Sequence, residues 1–257
     1  MEKVFLTTTD ENLALELVKF PLMFCKACFF GNPSETNGKI NNGTITLIKS
    51  RGKRYGITNA HVIDFYRERL LKEPNLTFNI GSSEIKIEES IIDINRDLDL
   101  CTIALEKYSD DFLDSQSEIP CFFFEIDDFS LSGLKEGDSI LLGGFIGDWK
   151  TRVAPDNVQF ESYSIGGTET TEITSRSIRC ELLFDTKKIA LNNFDRSEPE
   201  NYGGLSGGPV FLDKTLDSGI TVFKLVGIIY EYMPIANSIL IKPISFIQED
   251  LQILDNS

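Results

Sequence analysis

Short apolar runs separated by turn residues cover most of the chain from about residue 40 onward. The runs are rich in Ile, Val, Phe and Thr, the composition that favours strands. An Arg51-Gly52 turn between the first two runs predicts a hairpin. We expect strands at 44–48, 55–58, 76–80, 85–87, 100–105, 121–126, 139–145, 178–184, 209–212 and 222–230.

Helical periodicity occurs only near the two ends of the chain. Residues 9–18 predict a short helix that begins at Thr9 or Asp10. A second set of apolar residues is spaced by three or four positions after Pro243 and predicts a C-terminal amphipathic helix. This set consists of Ile244, Ile247, Leu251 and Leu254.

The arrangement of these elements predicts an all-β chain. Many short strands followed by one closing helix indicate two antiparallel β-barrels. The acidic, irregular stretch 109–118 is the best candidate for their junction. The sequence therefore predicts a first barrel with an N-terminal extension in residues 1–118, and a second barrel with the C-terminal helix in residues 119–257.

The net charge of the chain limits the classes of molecule that it is expected to bind. The chain of 257 residues carries a formal net charge of −15. Phosphate contacts need clustered Lys and Arg, so we expect no nucleic-acid partner. The same charge disfavours an anionic membrane surface. No run reaches the roughly 18 apolar residues of a membrane span, so no membrane partner is predicted.

The five cysteines are dispersed and odd in number, which indicates no disulfide framework. Cys25 and Cys28 form a single CxxC pair, and a zinc site would need more ligands than the chain offers beside it. Buried free thiols and no metal are therefore expected. Glu2, Asp10 and Glu11 precede any apolar stretch, which is the wrong flank for a signal peptide. A reduced, cytoplasmic protein is the resulting expectation.

The sharpest motif is the glycine-rich segment 201–211, Asn-Tyr-Gly-Gly-Leu-Ser-Gly-Gly-Pro-Val-Phe. A serine nucleophile needs an exposed hydroxyl on a tight turn, with backbone N–H groups facing a developing oxyanion. Glycines on both sides of Ser206 allow such a turn. The competing interpretations are a glycine-rich hairpin and a phosphate-binding loop. The segment contains neither GK[ST] nor GxGxxG, which the phosphate loops require.

Two further segments supply the partners that a nucleophilic serine needs. His61 is the only histidine, and it lies in a small-residue turn at the end of an apolar strand, where it can act as a general base. Asp99 directly precedes the apolar strand 100–105, and a carboxylate held there can orient an imidazole. Asp97 is the alternative, two residues earlier. Taken alone, Asp99 could equally be a strand-capping aspartate.

The order of these residues along the chain discriminates among serine hydrolases. Gly204-Leu-Ser206-Gly-Gly208 matches GxSxG, but α/β-hydrolases place the histidine after the serine, and none follows here. Subtilisin-type enzymes place the acid before the histidine, and Asp10 is the only aspartate upstream of His61. The order His, Asp, Ser is that of chymotrypsin.

Three motifs carry a resemblance to trypsin-like serine peptidases. They are Thr58-Asn-Ala-His61-Val, Asp99-Leu-Cys-Thr-Ile-Ala-Leu and Gly204-Leu-Ser-Gly-Gly-Pro209. The resemblance runs from about residue 40 to the end. It implies a chymotrypsin-like fold of two antiparallel six-stranded β-barrels with a C-terminal helix.

The resemblance also implies a mechanism. Ser206 would attack the scissile carbonyl, His61 would take its proton and pass it to the leaving amine, and Asp99 would orient His61. The N–H groups of Gly204 and Ser206 would form the oxyanion hole. The expected activity is a serine endopeptidase with a protein or peptide substrate and no cofactor. The alternatives are a catalytically silent trypsin-like binding module and a serine esterase.

Departures from the secreted trypsins point to a compact intracellular bacterial type. Leu205 stands where trypsins have an Asp that pairs with a newly cleaved N-terminus. No activation site lies near residue 20, the disulfide beside the histidine is missing, and no room remains for a PDZ domain. Without the Asp pairing, we expect the loop 203–206 to depend on substrate or on a regulatory protein partner.

The resemblance places the substrate pocket at three residues. Glu200, six residues before Ser206, would line its base and select Lys or Arg by direct pairing. Tyr230 and Tyr232 follow on the strand that would flank the substrate. If the two tyrosines close the pocket instead, a small side chain would be preferred.

Overall fold

The computed structural model describes residues 16–31, 40–108, 119–154, 157–182, 187–191, 201–215, 218 and 220–254. These residues form two largely antiparallel sheets with few helical turns. The expectation of an all-β chain with two barrels is confirmed. The predicted helix at 9–18 lies mainly outside the described residues, although residues 16–19 are helical.

The first sheet contains eight strands. They are β1 (Cys25–Phe30), β2 (Asn41–Ser50), β3 (Lys53–Thr58), β4 (Phe78–Ile80), β5 (Ser83–Ile85), β6 (Ile91–Asn95), β7 (Leu100–Ala104) and β8 (Phe124–Glu125). Their order is β5-β4-β1-β2-β3-β7-β6, with β8 added in parallel to β2. Helix α1 (Ala60–Leu70) follows β3, and the short helix α2 (Ile87–Ser90) precedes β6. Strand and helix side chains, including Ile45, Leu47, Phe78, Ile63 and Ile103, fill the interior.

The predicted hairpin around Arg51 and Gly52 joins β2 to β3. Ser50 pairs with Lys53, and the two turn residues have φ angles of 50° and 78°. Positive φ at both central positions is typical of a type I′ turn, whose twist matches that of the flanking strands. The turn thereby fixes the register that carries β3 to its end at Thr58.

The second sheet contains seven strands. They are β9 (Ser139–Ala154), β10 (Asn157–Ile173), β11 (Ile178–Glu181), β12 (Lys187–Leu191), β13 (Pro209–Thr215), β14 (Thr221–Met233) and β15 (Ser238–Pro243). Their order is β11-β15-β14-β13-β9-β10-β12, and a further pairing of β10 with β11 closes six of them into a ring. Its buried core includes Ile140, Tyr163, Leu205, Val226 and Ile241.

A third cluster of buried side chains lies between the two sheets. Ile48, Ile57 and Leu100 reach it from the first sheet, and Phe211 and Ile228 reach it from the second. The C-terminal residues Ile244, Phe246, Ile247 and Leu251 complete this cluster. The two sheets therefore share one buried apolar interface.

The strand count differs from six in the first sheet. Strand β1 covers β2 only as far as Thr46, so the polar main-chain groups of Ile48 and Lys49 are left for β8. The β4–β5 hairpin adds further strands. Since β8 follows residue 118 yet joins the first sheet, and 109–118 lie outside the described residues, the predicted division at 118/119 stays a prediction.

The predicted C-terminal helix is wrong. A single 3₁₀ turn at Ile244–Phe246 follows β15, and the chain then reverses, so that Ile247 bridges to Ile253. Leu251 has a φ of 68°, and its carbonyl accepts a hydrogen bond from Thr102 Oγ1 at 2.7 Å. Ile244, Ile247 and Leu251 are buried and Leu254 is exposed. Bonds to the first sheet hold a turn instead of a helix.

Two 3₁₀ turns, Phe20–Phe24 and Pro234–Ala236, lie before β1 and before β15. The five cysteine side chains are buried free thiols, as expected. Within the described ranges, the helices are all too short or too polar to cross a membrane.

Candidate active site

His61 lies in the first turn of helix α1, directly after β3. The expectation was a turn at the end of a strand, and the structure instead starts an 11-residue helix there. The helix holds the imidazole on its first turn with 35% of the side chain exposed. The side chain is thus fixed on one side and open to solvent on the other.

Both carboxylate oxygens of Asp99 are hydrogen-bonded to His61. Its Oδ1 accepts the backbone N–H of His61 at 2.9 Å, and its Oδ2 lies 2.7 Å from Nδ1 of the imidazole. A carboxylate can only accept, so Nδ1 carries the hydrogen, and in the neutral imidazole Nε2 then keeps its lone pair. A negative charge at the start of a helix is also favoured by the helix dipole. Asp97, the alternative acid, is exposed.

The backbone of Asp99 is itself tied to the segment before His61. Asp99 has a φ of 52°, an uncommon conformation for a residue with a side chain. The side-chain amide of Asn59 donates to the carbonyl of Asp99 at 2.8 Å. Asn59 is fully buried. The start of the helix is therefore bonded to Asp99 twice, through the side chain of Asn59 and through the N–H of His61.

The turn around Ser206 depends on glycine at two positions. Gly204 and Gly207 have φ angles of 98° and 93°. A Cβ on Gly207 would overlap the carbonyl oxygen of Thr44, and a Cβ on Gly204 would crowd the carbonyl oxygen of Phe145 at 2.5 Å. Close backbone approach requires glycine here, as the sequence predicted.

Strand β2 of the first sheet is hydrogen-bonded to the turn around Ser206. The N–H of Thr44 donates to the carbonyl of Ser206 at 2.8 Å, and Thr44 Oγ1 donates to the carbonyl of Gly204 at 2.7 Å. Thr46 Oγ1 donates to the carbonyl of Gly207 at 2.7 Å. Thr58, three residues before His61, donates its hydroxyl to the carbonyl of Thr44 at 2.8 Å. The serine turn and the histidine segment thus lie against the same stretch of β2.

The N–H groups of Gly204 and Ser206 are the predicted oxyanion donors. Both residues are partly exposed. In the described part of the chain, neither N–H donates to a protein acceptor, whereas the N–H groups of Leu205, Gly207 and Gly208 are all bonded. Two unpaired donors, one on each side of Leu205, are what an oxyanion site requires.

The hydroxyl of Ser206 donates to the carbonyl of Tyr230 at 3.3 Å. Among the described residues, Ser206 and His61 are not joined by a hydrogen bond. The structure therefore brings His61 and Asp99 into direct contact. It places the turn of Ser206 against strand β2, and the Ser206 hydroxyl is directed towards β14.

Tyr230 connects the serine to the surroundings of Asp99. It lies at a bulge in β14 between Ile229 and Glu231. Burial raises the pKa of the Tyr230 hydroxyl, and the charges of Glu231 and Asp99 raise it further. Lys242 is 8% exposed, and its Nζ lies 4.1 Å from the centre of the Tyr230 ring. Burial lowers the pKa of Lys242, and Asp99 opposes that effect.

The predicted pocket residues divide into two groups. Glu200 lies outside the described residues. Tyr230 and Tyr232 are on β14 beside the serine turn; Tyr232 donates its hydroxyl to Asn237 Oδ1 at 3.1 Å, and its ring centre lies 4.4 Å from that of Tyr202. Leu205 is 1% exposed and packs in the core of the second sheet.

Several residues at this site carry no distinctive sequence signal. Thr44 and Thr46 are buried threonines in an ordinary strand pattern, and Lys242 is a single lysine in a short apolar strand. Asn59 is part of the segment before His61, but its spacing alone gives it no role. Tertiary contacts place these four side chains beside the serine turn, Asp99 and Tyr230.

Comparisons with known proteins give similar folds only. No family model and no curated protein matches the chain. It is similar to the Rv3671c protease of M. tuberculosis in its active form, at 15% sequence identity and a TM-score of 0.40, over 91% of this chain and 82% of that one. It is also similar to HBP, at 10% identity and a TM-score of 0.47, over 88% and 87% of the two chains. At such low identity and loose superposition, neither likeness bears on the chemistry, which rests on the contacts described above.

Proposed function

We propose that this chain is a serine endopeptidase with His61, Asp99 and Ser206 as its catalytic triad. The observation that carries the proposal is the double hydrogen bond between Asp99 and His61, at 2.9 Å to the main chain and 2.7 Å to Nδ1. This pairing fixes both the tautomer and the direction of the ring. It is the arrangement in which an imidazole acts as general base for a hydroxyl.

The chemistry proceeds in two halves. Ser206 Oγ forms a bond to the scissile carbonyl carbon while its proton passes to Nε2 of His61, and the carbonyl oxygen becomes an oxyanion. The free N–H groups of Gly204 and Ser206 receive that charge. His61 then gives the proton to the leaving amine as the C–N bond breaks. Water repeats the sequence on the acyl-enzyme and releases the acid.

One rotation is required before the first step. The Ser206 hydroxyl donates to the carbonyl of Tyr230, so this bond must break before the hydroxyl can donate to His61. Rotation of a hydroxyl at a partly exposed position is far faster than catalysis. The Tyr230 carbonyl is then free to accept a hydrogen bond from an extended substrate strand beside β14.

Labelling by a fluorophosphonate tests the proposal directly. The probe phosphonylates a serine only when an adjacent base activates it, so the wild-type chain should be labelled once and Ser206→Ala should not be labelled. The peptide that carries the label, identified by mass spectrometry, should contain Ser206.

Ser82→Ala is the matched control, because Ser82 is exposed in the β4–β5 hairpin of the first sheet. It should be labelled at the wild-type rate. Absence of labelling in the wild-type chain, with and without peptide substrates present, would contradict the proposal and favour a silent binding module. Cleavage of a peptide library separates an endopeptidase from an esterase, which would turn over small acyl esters only.

The expected regulation rests on Leu205. Its side chain is packed in the second core, and Gly147 N–H donates to the Gly203 carbonyl at 2.6 Å, so both ends of the loop 203–206 have anchors other than an Asp salt bridge. These anchors do not require a partner, so a regulatory protein partner that acts on this loop is proposed on the missing Asp pairing alone. Pocket residue Glu200 and its preference for basic side chains are proposed on the resemblance alone.

A further inference from the structure

Helix α1 is capped in an unusual way at its N-terminus. Asn59 occupies the N-cap position, and asparagine there usually accepts a hydrogen bond from an N–H of the first turn. Its side chain makes no such bond. The N–H of His61, the second residue of the helix, is bonded instead to Oδ1 of Asp99. Asp99, and not the N-cap residue Asn59, therefore caps the N-terminus of the helix.

The amide of Asn59 is used in the opposite direction. Its Nδ2 donates to the main-chain carbonyl of Asp99 at 2.8 Å, while its Oδ1 is buried without a partner. A buried amide oxygen without a hydrogen bond costs free energy. If Asn59 only capped the helix, its Oδ1 would be expected to accept a hydrogen bond from an N–H group of the first turn.

The carbonyl that Asn59 holds belongs to a strained residue. Asp99 has a φ of 52°, in the left-handed region that residues with a Cβ adopt at a cost. This backbone conformation aims the carboxylate at His61. A donor on the Asp99 carbonyl opposes the rotation of the peptide that would relax the strain and withdraw the carboxylate from Nδ1.

We propose that Asn59 is a positioning residue, which holds Asp99 in its left-handed conformation and thereby fixes the Nδ1–H tautomer and the orientation of His61. Asn59 does not touch the reacting atoms and acts only through Asp99. The effect on acylation rests on the proposed function, whereas the effect on the tautomer does not.

The composition of the chain makes the tautomer directly measurable. His61 is the only histidine, so every imidazole signal in a ¹⁵N-histidine-labelled sample comes from this site. In the wild-type chain, the neutral imidazole should show the Nδ1–H tautomer. In Asn59→Ser, we expect a mixture of both tautomers, because the freed Asp99 carboxylate no longer holds Nδ1–H.

Serine is the chosen substitution because it is a strong N-cap residue and keeps the helix start, but it cannot reach the Asp99 carbonyl with an amide. The rate of fluorophosphonate labelling should fall by up to about 100-fold, as expected when a catalytic group is misplaced by about 1 Å. Asn59→Gly, which also caps acceptably, provides a second variant if serine prevents folding.

Asn79→Ser is the matched control. The Asn79 amide donates to Thr77 Oγ1 at 3.1 Å in the first sheet, so its removal also deletes one side-chain hydrogen bond. The control should keep the wild-type tautomer and labelling rate. A folded Asn59→Ser with the wild-type tautomer would overturn the inference. If the wild-type chain is never labelled but the tautomer shifts as expected, the inference stands and the proposed function fails.

Discussion

At the scale of single residues, two glycines determine whether the backbone can pass beside Ser206. Gly207 lies so close to β2 that a Cβ would overlap the carbonyl oxygen of Thr44 and crowd Thr58 Oγ1 at 2.6 Å. The same turn is needed to present the Ser206 hydroxyl. The stability of the fold and the proposed chemistry therefore both require that residue 207 has no Cβ.

Gly207→Ala should destabilise the fold by about 3 kcal/mol or more, because the backbone strain of a positive φ is added to a steric overlap that only main-chain movement can relieve. Gly133→Ala is a matched control: its φ of 91° is close to the 93° of Gly207, but no atom lies within 4 Å of the added Cβ. The control should cost about 1 kcal/mol. Equal losses in urea unfolding would contradict the steric argument.

The sequence predicts the three candidate residues at this scale but not the contacts that hold them. His61, Asp99 and Ser206 follow from local composition and from their order. The positive φ of Asp99 and its bond to Asn59 depend on how β3 and β7 pair, which brings Thr58 opposite Cys101. A pairing between distant segments leaves no local signal in either of them.

At the scale of elements, strand β2 connects both halves of the site. Thr44 Oγ1 donates to Gly204 O at 2.7 Å and accepts from Phe145 N–H at 3.0 Å, which lies in β9 of the second sheet. The carbonyl of Thr44 accepts from Thr58. One residue of the first sheet thereby sets the distance between the serine turn and the start of helix α1.

Thr44→Val should lower stability by about 3 kcal/mol, because it keeps the shape but leaves the Gly204 carbonyl and the Phe145 N–H without partners. The labelling rate of Ser206 should fall at least about tenfold as the turn loosens. Thr170→Val removes a comparable buried hydroxyl, bonded to the Lys135 carbonyl at 2.7 Å. It should lose stability while keeping the labelling rate. Unchanged labelling in Thr44→Val would show that β2 does not position the turn.

The type of an element could be predicted where the periodicity of apolar residues was long. The prediction failed where tertiary contacts decided the structure of a short segment. The apolar runs predicted at least part of ten strands and the Arg51-Gly52 hairpin. Five strands that the structure describes were not predicted: β1, β6, β10, β12 and β15. The spacing after Pro243 indicated the burial of Ile244, Ile247 and Leu251, but Leu254 is exposed. It also indicated the wrong element, because the hydrogen bonds of Leu251 and Ile253 to the first sheet favour a turn. The helix after β3 was missed because the segment around His61 has no helical repeat long enough to recognise.

At the scale of the whole molecule, each sheet has a buried cluster of its own, and a third cluster joins the two sheets into one unit. The cysteines are distributed through the buried parts of this unit. Burial raises the pKa of Cys28 to about 12, with hydrogen bonds at Gly43 and Thr58 opposing this. Burial likewise raises the pKa of Cys180 to about 12 and that of Cys121 to about 11. These thiols therefore link stability to pH.

The sign of this linkage is set by the unfolded chain, in which a thiol titrates at about pH 8.5. Below that pH both states keep the proton, and the stability of the fold is unaffected by the thiols. Between about pH 8.5 and pH 12, only the unfolded state releases the proton from Cys28, so stability is lost as pH rises. In Cys28→Ala, the free energy of unfolding should fall less steeply between pH 9.5 and pH 10.5 than in the wild-type chain, by about 1.4 kcal/mol per pH unit.

Urea unfolding at several pH values measures this slope, which is independent of the constant loss that the cavity in Cys28→Ala causes. Ile45→Val is the control, because Ile45 is buried in the same cluster and its substitution removes volume without a titrating group. It should shift the whole curve down and leave the slope unchanged. An identical slope in Cys28→Ala and the wild-type chain would mean that Cys28 exchanges its proton in the folded state, contrary to its complete burial in the core of the first sheet.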